Sequence, residues 1–137
     1  MSYSVIDALV WAARALGWSP SPGALEVGPY SVVAELAHHL LARAQSNETD
    51  GFAELFESVE AALTEPTADG RHLVIVGFLE DLQNVSLNSG MALDYWLTWL
   101  GPETQSSWAV LQRFWAGELT ADEFNAFVAG ARHASSD

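Results

Sequence analysis

Strict alternation of apolar and polar residues is nearly absent from this chain, whereas apolar residues recur at three- and four-residue spacings over most of its length. That spacing places side chains on one face of an α-helix, so the pattern selects helices over sheets. Val5, Leu9, Ala12, Ala13 and Leu16 trace one stripe over residues 4–16. Val33, Leu36, Ala37, Leu40 and Ala44 trace a second over residues 29–47, where Pro29 suits a first helical position because its missing N–H is not needed there. Phe52, Leu55, Phe56, Val59 and Leu63 give a third stripe, beginning near Asp50 and stopping before Pro66.

For one segment, periodicity alone does not choose between helix and strand. Leu73-Val74-Ile75-Val76-Gly77-Phe78-Leu79 is apolar on all sides and rich in β-branched residues, as a buried strand would be. Glu80-Asp81-Leu82-Gln83-Asn84 continues the run with helical composition, and the combined length over residues 68–85 favours a buried central helix in which Gly77 admits a close neighbour. Asp69-Gly70 at its start reads as a turn. A turn at residues 86–90 precedes a short aromatic-rich helix over 92–100, and Pro102 opens a helix over 102–116. Thr120-Ala121-Asp122-Glu123 is a capping box that opens the last helix, and the Pro-rich segment 17–28 reads as loop. The expected fold class is all-α: one domain over residues 1–137, a single compact bundle of about six or seven short antiparallel helices.

Composition narrows the partners. Half of the 137 residues are apolar, enough to fold, and 18 acids face five arginines with lysine and cysteine absent. A net charge of −13 repels nucleic acid and anionic membranes and favours a cationic protein partner. The longest strongly apolar run, Leu73–Leu79, is far short of the ~20 residues a membrane span needs. The amino end lacks the basic start of a signal peptide, and the missing cysteines point to no oxidising compartment, so a cytoplasmic location is expected.

Few motifs carry chemistry. The chain has no G-x-G-x-x-G, no Gly-Lys-Ser/Thr and no G-x-S-x-G, and a thiol nucleophile is excluded. Glu35-Leu36-Ala37-His38 has the E-x-x-H spacing with which helical bundles hold metals, since side chains three apart share a face. Asp69-Gly70-Arg71-His72 repeats the interval, and Glu80 or Asp94 could complete a set, so Glu35, His38 and His72 define an alternative metal-binding or enzymatic reading. The favoured reading instead puts His38 and His39 on a helix flank, with Glu35 and Arg43 pairing His39 one turn away on either side. No metal, cofactor or catalytic residue is then expected. Trp96, Trp99, Trp108 and Trp115 have spacings suited to core packing, with one or two left partly exposed as interface anchors. A homodimer held by tryptophan-rich faces is a further alternative.

Every charge between Ala44 and Gly70 is negative. Like charges three or four apart cost a few tenths of a kcal/mol per pair in a helix, so local energetics disfavours the run. Asp50, Glu54, Glu57, Glu60 and Glu65 are therefore the candidate partner-binding residues, set against a merely solvated face.

Val59-Glu60, the run from Leu73 through Asn84, and Leu100-Gly101-Pro102-Glu103-Thr104 with Trp108, Phe114 and Trp115 resemble a family of small acidic all-helical bacterial proteins of unknown function. Some members look like immunity proteins of toxin systems. The resemblance spans residues 30–116 and leaves the first helix and the Pro-rich loop outside. It implies a helical protein-binding domain that neutralises a basic toxin by occlusion, and it carries over no catalytic residues.

Overall fold

The computed structural model describes residues 4–64 and 67–130, of which 78% are helical and none lies in a strand, so Leu73–Leu79 is helix. Helix α1 (Val5–Ala13) begins at Ser4, whose hydroxyl accepts from the Asp7 N–H (3.1 Å), and it runs into a 3₁₀ turn, Arg14–Leu16. Helix α2 (Pro22–Val27) occupies part of the segment expected as loop. Ser21 caps it by accepting from the Ala24 N–H (3.1 Å), and Pro22 stands at its first position. Pro-rich composition concealed an ordinary helix start.

Helix α3 (Pro29–Gln45) and helix α4 (Phe52–Thr64) follow, and every apolar residue named above for these two stripes is buried. Helix α5 is continuous over residues 68–88: α-helical at Ala68–His72, π-helical at Leu73–Leu79, and α-helical again at Glu80–Asn88. Asp69 and Gly70, expected in a turn, lie in its first turn, because the Thr67 hydroxyl accepts from the Gly70 N–H (3.1 Å) and caps the helix there. A 3₁₀ segment, Leu93–Trp99, replaces the short α-helix expected over residues 92–100. Helices α6 (Pro102–Trp115) and α7 (Ala121–Val128) close the described chain. The capping box of α7 forms as the sequence indicates, with Thr120 N–H to Glu123 at 2.8 Å and Glu123 N–H to Thr120 Oγ1 at 3.0 Å. Among the described residues no helix is long and apolar enough to cross a membrane.

Helix α5 is the central rod, contacted along its length by α3, α4 and α6. Its π-helical stretch buries Leu73, Val74, Ile75, Phe78 and Leu79, as a segment without a polar face must. At Gly77 the α3 helix comes close: a Cβ there would sit 3.1 Å from both Tyr30 Cδ2 and Val33 Cγ2. Trp96 from the 3₁₀ segment is fully buried against Phe52 and Phe56, with its indole N–H donated to Ser86 Oγ (2.9 Å). Gln83 ties α5 to α6 by donating to the Trp108 carbonyl (3.1 Å).

The first turn of α5 also carries a buried cation. Arg71 is 2% exposed and donates from Nε to the Val128 carbonyl (3.0 Å), from Nη2 to Phe127 (2.8 Å) and from Nη1 to Leu63 (3.3 Å). These carbonyls end α7 and α4, where the last turn of a helix has no intrahelical donors and a negative dipole end attracts a cation. The guanidinium also lies over the Phe127 ring, 5.5 Å from its centroid. Arg71→Ala should cost roughly 2–4 kcal/mol in urea denaturation, because the buried carbonyls lose a charged donor and nothing replaces it. Arg71→Lys should recover only part of this, since one ammonium cannot span both helix ends. A loss under 1 kcal/mol for the alanine variant would contradict the assignment.

Candidate functional site

The acidic run divides into two roles. Asp50, Glu54 and Glu57 recur at helical spacing and are all exposed on the outer side of α4 and its leading turn. Among the described residues no salt bridge reaches them. Arg43 donates to the Asp50 carbonyl (3.5 Å) but pairs with Glu48 (3.8 Å), and Arg113 pairs with Glu118 (3.4 Å). Arg14 lies over the Trp11 ring (4.7 Å), and Arg71 is buried. Glu65 lies outside the described residues.

Glu60 is turned the other way. Its carboxylate accepts from the N–H groups of Glu103 and Thr104 (2.9 Å each) and from Thr104 Oγ1 (2.7 Å). Gly101, the residue before α6, has no side chain to cap that helix, so Glu60 of α4 satisfies its free donors. Gly101 is also what lets the carboxylate in: a Cβ there would lie 2.6 Å from Glu60 Cδ. Partial burial alone would raise the Glu60 pKa, but the hydrogen bonds from Glu103 and Thr104 together outweigh it and hold the carboxyl below its ordinary value.

The alternative metal residues go to separate tasks. Glu35 accepts from Ser21 Oγ (2.6 Å) and Ser21 N–H (2.8 Å), and these bonds lower its pKa. The sequence-expected pairing of His39 with Glu35 and Arg43 does not form: His39 Nε2 lies 3.3 Å from the Leu16 carbonyl, while Glu35 holds the start of α2. His38 is exposed on α3, and His72 hydrogen-bonds through Nδ1 to the Tyr30 hydroxyl. Among the described residues no three His, Asp or Glu side chains are grouped to hold a metal ion. Burial raises the pKa of Asp81, opposed by the charge of His38, and burial followed by Asp81 raises that of Glu80.

Of the four tryptophans singled out in the sequence, Trp96 and Trp108 are core, Trp99 is half-buried and Trp115 is exposed. The exposed tryptophan that lines a groove is instead Trp11. It stands off the Val5–Leu9–Ala13 stripe of α1, and that offset is the signal in the sequence that marks it as exposed. With Ile6, Val10, Pro20, Leu25 and Val32 it lines a groove of about 440 Å³ between α1 and the α2–α3 junction. Trp11 is 64% exposed, Leu25 60% and the neighbouring Val27 77%. A second groove, of about 660 Å³, lies at the start of α1 and takes in Ser4, Tyr30, Ser58, Thr67 and Asp69; Ile6 and Pro29 border both. The first groove can hold apolar side chains, and the acidic face of α4 can attract cations.

The chain belongs to the family described as a domain of unknown function, DUF7674, whose sequence model matches residues 18–116. No match is found among curated proteins or among solved structures. The matched region takes in α2 and the Pro-rich segment, which the sequence resemblance had left outside, and it contains both Glu60 and the α6 start that Glu60 caps. The wall of the 440 Å³ groove formed by α1 lies before the matched region, and the α2–α3 wall lies within it.

The α6 cap makes a pH-dependent contribution whose sign is fixed. A lowered carboxyl pKa stabilises the fold above the ordinary glutamate value of about 4.3, and that stability disappears as pH falls through the folded-state value. Glu60→Gln should cost about 1 kcal/mol at neutral pH, and the gap from wild type should close on acidification. Urea denaturation at several pH values measures it; a gap constant from pH 7 to pH 3 would rule out the charged cap.

Proposed function

We propose that this domain is a protein-binding module that docks a cationic partner, in the manner of an immunity protein occluding a basic toxin. The observation that carries the proposal is the exposed face of Asp50, Glu54 and Glu57, which no salt bridge reaches among the described residues. Glu54 and Glu57, like-charged neighbours on one helical face, oppose local stability by a few tenths of a kcal/mol, and among the described residues no cation relieves this. A complementary positive surface does: it removes the repulsion and raises the encounter rate. Asp50, Glu54 and Glu57 are the contact residues of this proposal, and Glu60 belongs to the scaffold that holds α4 against α6. The net charge of −13 disfavours nucleic acid and anionic lipid as partners. Occlusion needs no cofactor and no catalytic group, and the proposed site of action is a bacterial cytoplasm.

The test replaces Asp50→Asn, Glu54→Gln and Glu57→Gln together. Stability should be unchanged or rise by a few tenths of a kcal/mol as repulsion is relieved. Association with a basic protein captured on the immobilised domain should slow several-fold at low ionic strength. The wild-type rate should fall with added salt, and the variant's should fall less steeply. Equal rates with equal salt slopes would leave these acids as a solvated face only.

A further inference from the structure

We propose that the groove between α1 and the α2–α3 junction is the seat of an amphipathic helix presented by the cationic partner, its apolar face on Trp11 and Leu25 and its basic face outward. This rests on the docking role proposed for the α4 acids and adds the contact that determines how long the complex lasts. Trp11, Leu25 and Val27 are each at least 60% exposed, and two of them line one concave surface of about 440 Å³. Large apolar side chains left exposed along one concave surface mark an interaction surface, and tryptophan is among the commonest anchors of such contacts. A helix laid into a groove meets it with side chains one turn apart, which an open trough can accept.

Charge decides between occupants. Asp7 lines the groove and Glu26 stands between Leu25 and Val27 on α2, while Arg14, also in the lining, lies over the Trp11 ring. A second copy of this chain would bring another −13 against the first, and like-charged bodies repel. A basic amphipathic helix meets apolar surface and the Asp7 carboxylate in the trough, on a domain whose net charge of −13 attracts it. Helix α4 packs against α1, which forms one wall of the groove. Gly51, next to Asp50, packs so closely on the 3₁₀ turn that follows α1 that a Cβ there would lie 2.9 Å from the Ala15 carbonyl oxygen. In this proposal one partner is steered by the α4 acids and anchored beside α1.

The experiment uses two synthetic lysine–leucine peptides of equal composition, one with leucine on a single helical face and one scrambled. Fluorescence anisotropy of the labelled peptides gives their affinities. The amphipathic peptide should bind about tenfold more tightly than the scramble. Trp11→Ala with Leu25→Ala should remove that advantage while leaving scramble binding, circular dichroism and melting unchanged, as both side chains are largely exposed. The Asp50→Asn, Glu54→Gln, Glu57→Gln variant should weaken both peptides; if it weakens neither while the advantage still depends on Trp11, the acidic docking role fails and the groove stands. Equal affinity for the two peptides, no binding of either, or an advantage that survives in the Trp11/Leu25 variant overturns the groove assignment. So does a dimer in sedimentation that Trp11→Ala dissociates, which would give the groove to a second copy.

Discussion

At Arg71 the chain places a permanently charged group where water barely reaches, and carbonyl oxygens at the ends of α4 and α7 take the place of solvent. Charge burial is costly unless hydrogen bonds replace hydration, and helix ends are costly unless donors meet their last carbonyls; here each problem solves the other. Because Arg71 belongs to the first turn of α5, the same contact sets where the π-helical core segment enters the bundle. Glu60 repeats the arrangement with opposite sign at the start of α6, and Glu35 does so at the start of α2. Short helices gain little from propensity alone, so charged groups borrowed from other helices fix where these begin and end.

What could be seen in the sequence follows from how far apart the interacting residues lie. The apolar stripes of α3 and α4 were legible because burial imposes the helical period within one element, although α3 also buries Val32 and Leu41 beside its stripe. The Thr120–Glu123 box was legible because its two halves are three residues apart. Glu60 and Thr104 are separated by 44 residues and Arg71 and Val128 by 57, and no local pattern reports such pairs. Glu60 therefore looked like one more member of an acidic stripe. The π-helical geometry of Leu73–Leu79 was equally hidden, since its composition is compatible with any buried helix. Helix α2 was missed for a different reason: Ser21-Pro22 is a good helix start embedded in residues that otherwise signal a loop.

On the surface the residues divide by whether the fold uses them. Carboxylates at positions 35, 60 and 123 hold helix starts, and those at 48 and 118 pair with arginines. Asp50, Glu54 and Glu57 have no such task within the described residues, nor does packing account for the exposure of Trp11 and Leu25. The proposed docking role assigns both sets to one partner. Long-range charge would bring it in, and apolar contact would retain it.

Hydrogen–deuterium exchange of the domain, alone and with a captured basic partner, tests this account most directly. Added protection is expected in the first turns of α4 and in α1 and α2, while α6 and α7 keep their free-state exchange. Protection confined to α6 and α7, with α1, α2 and α4 unchanged, would contradict it.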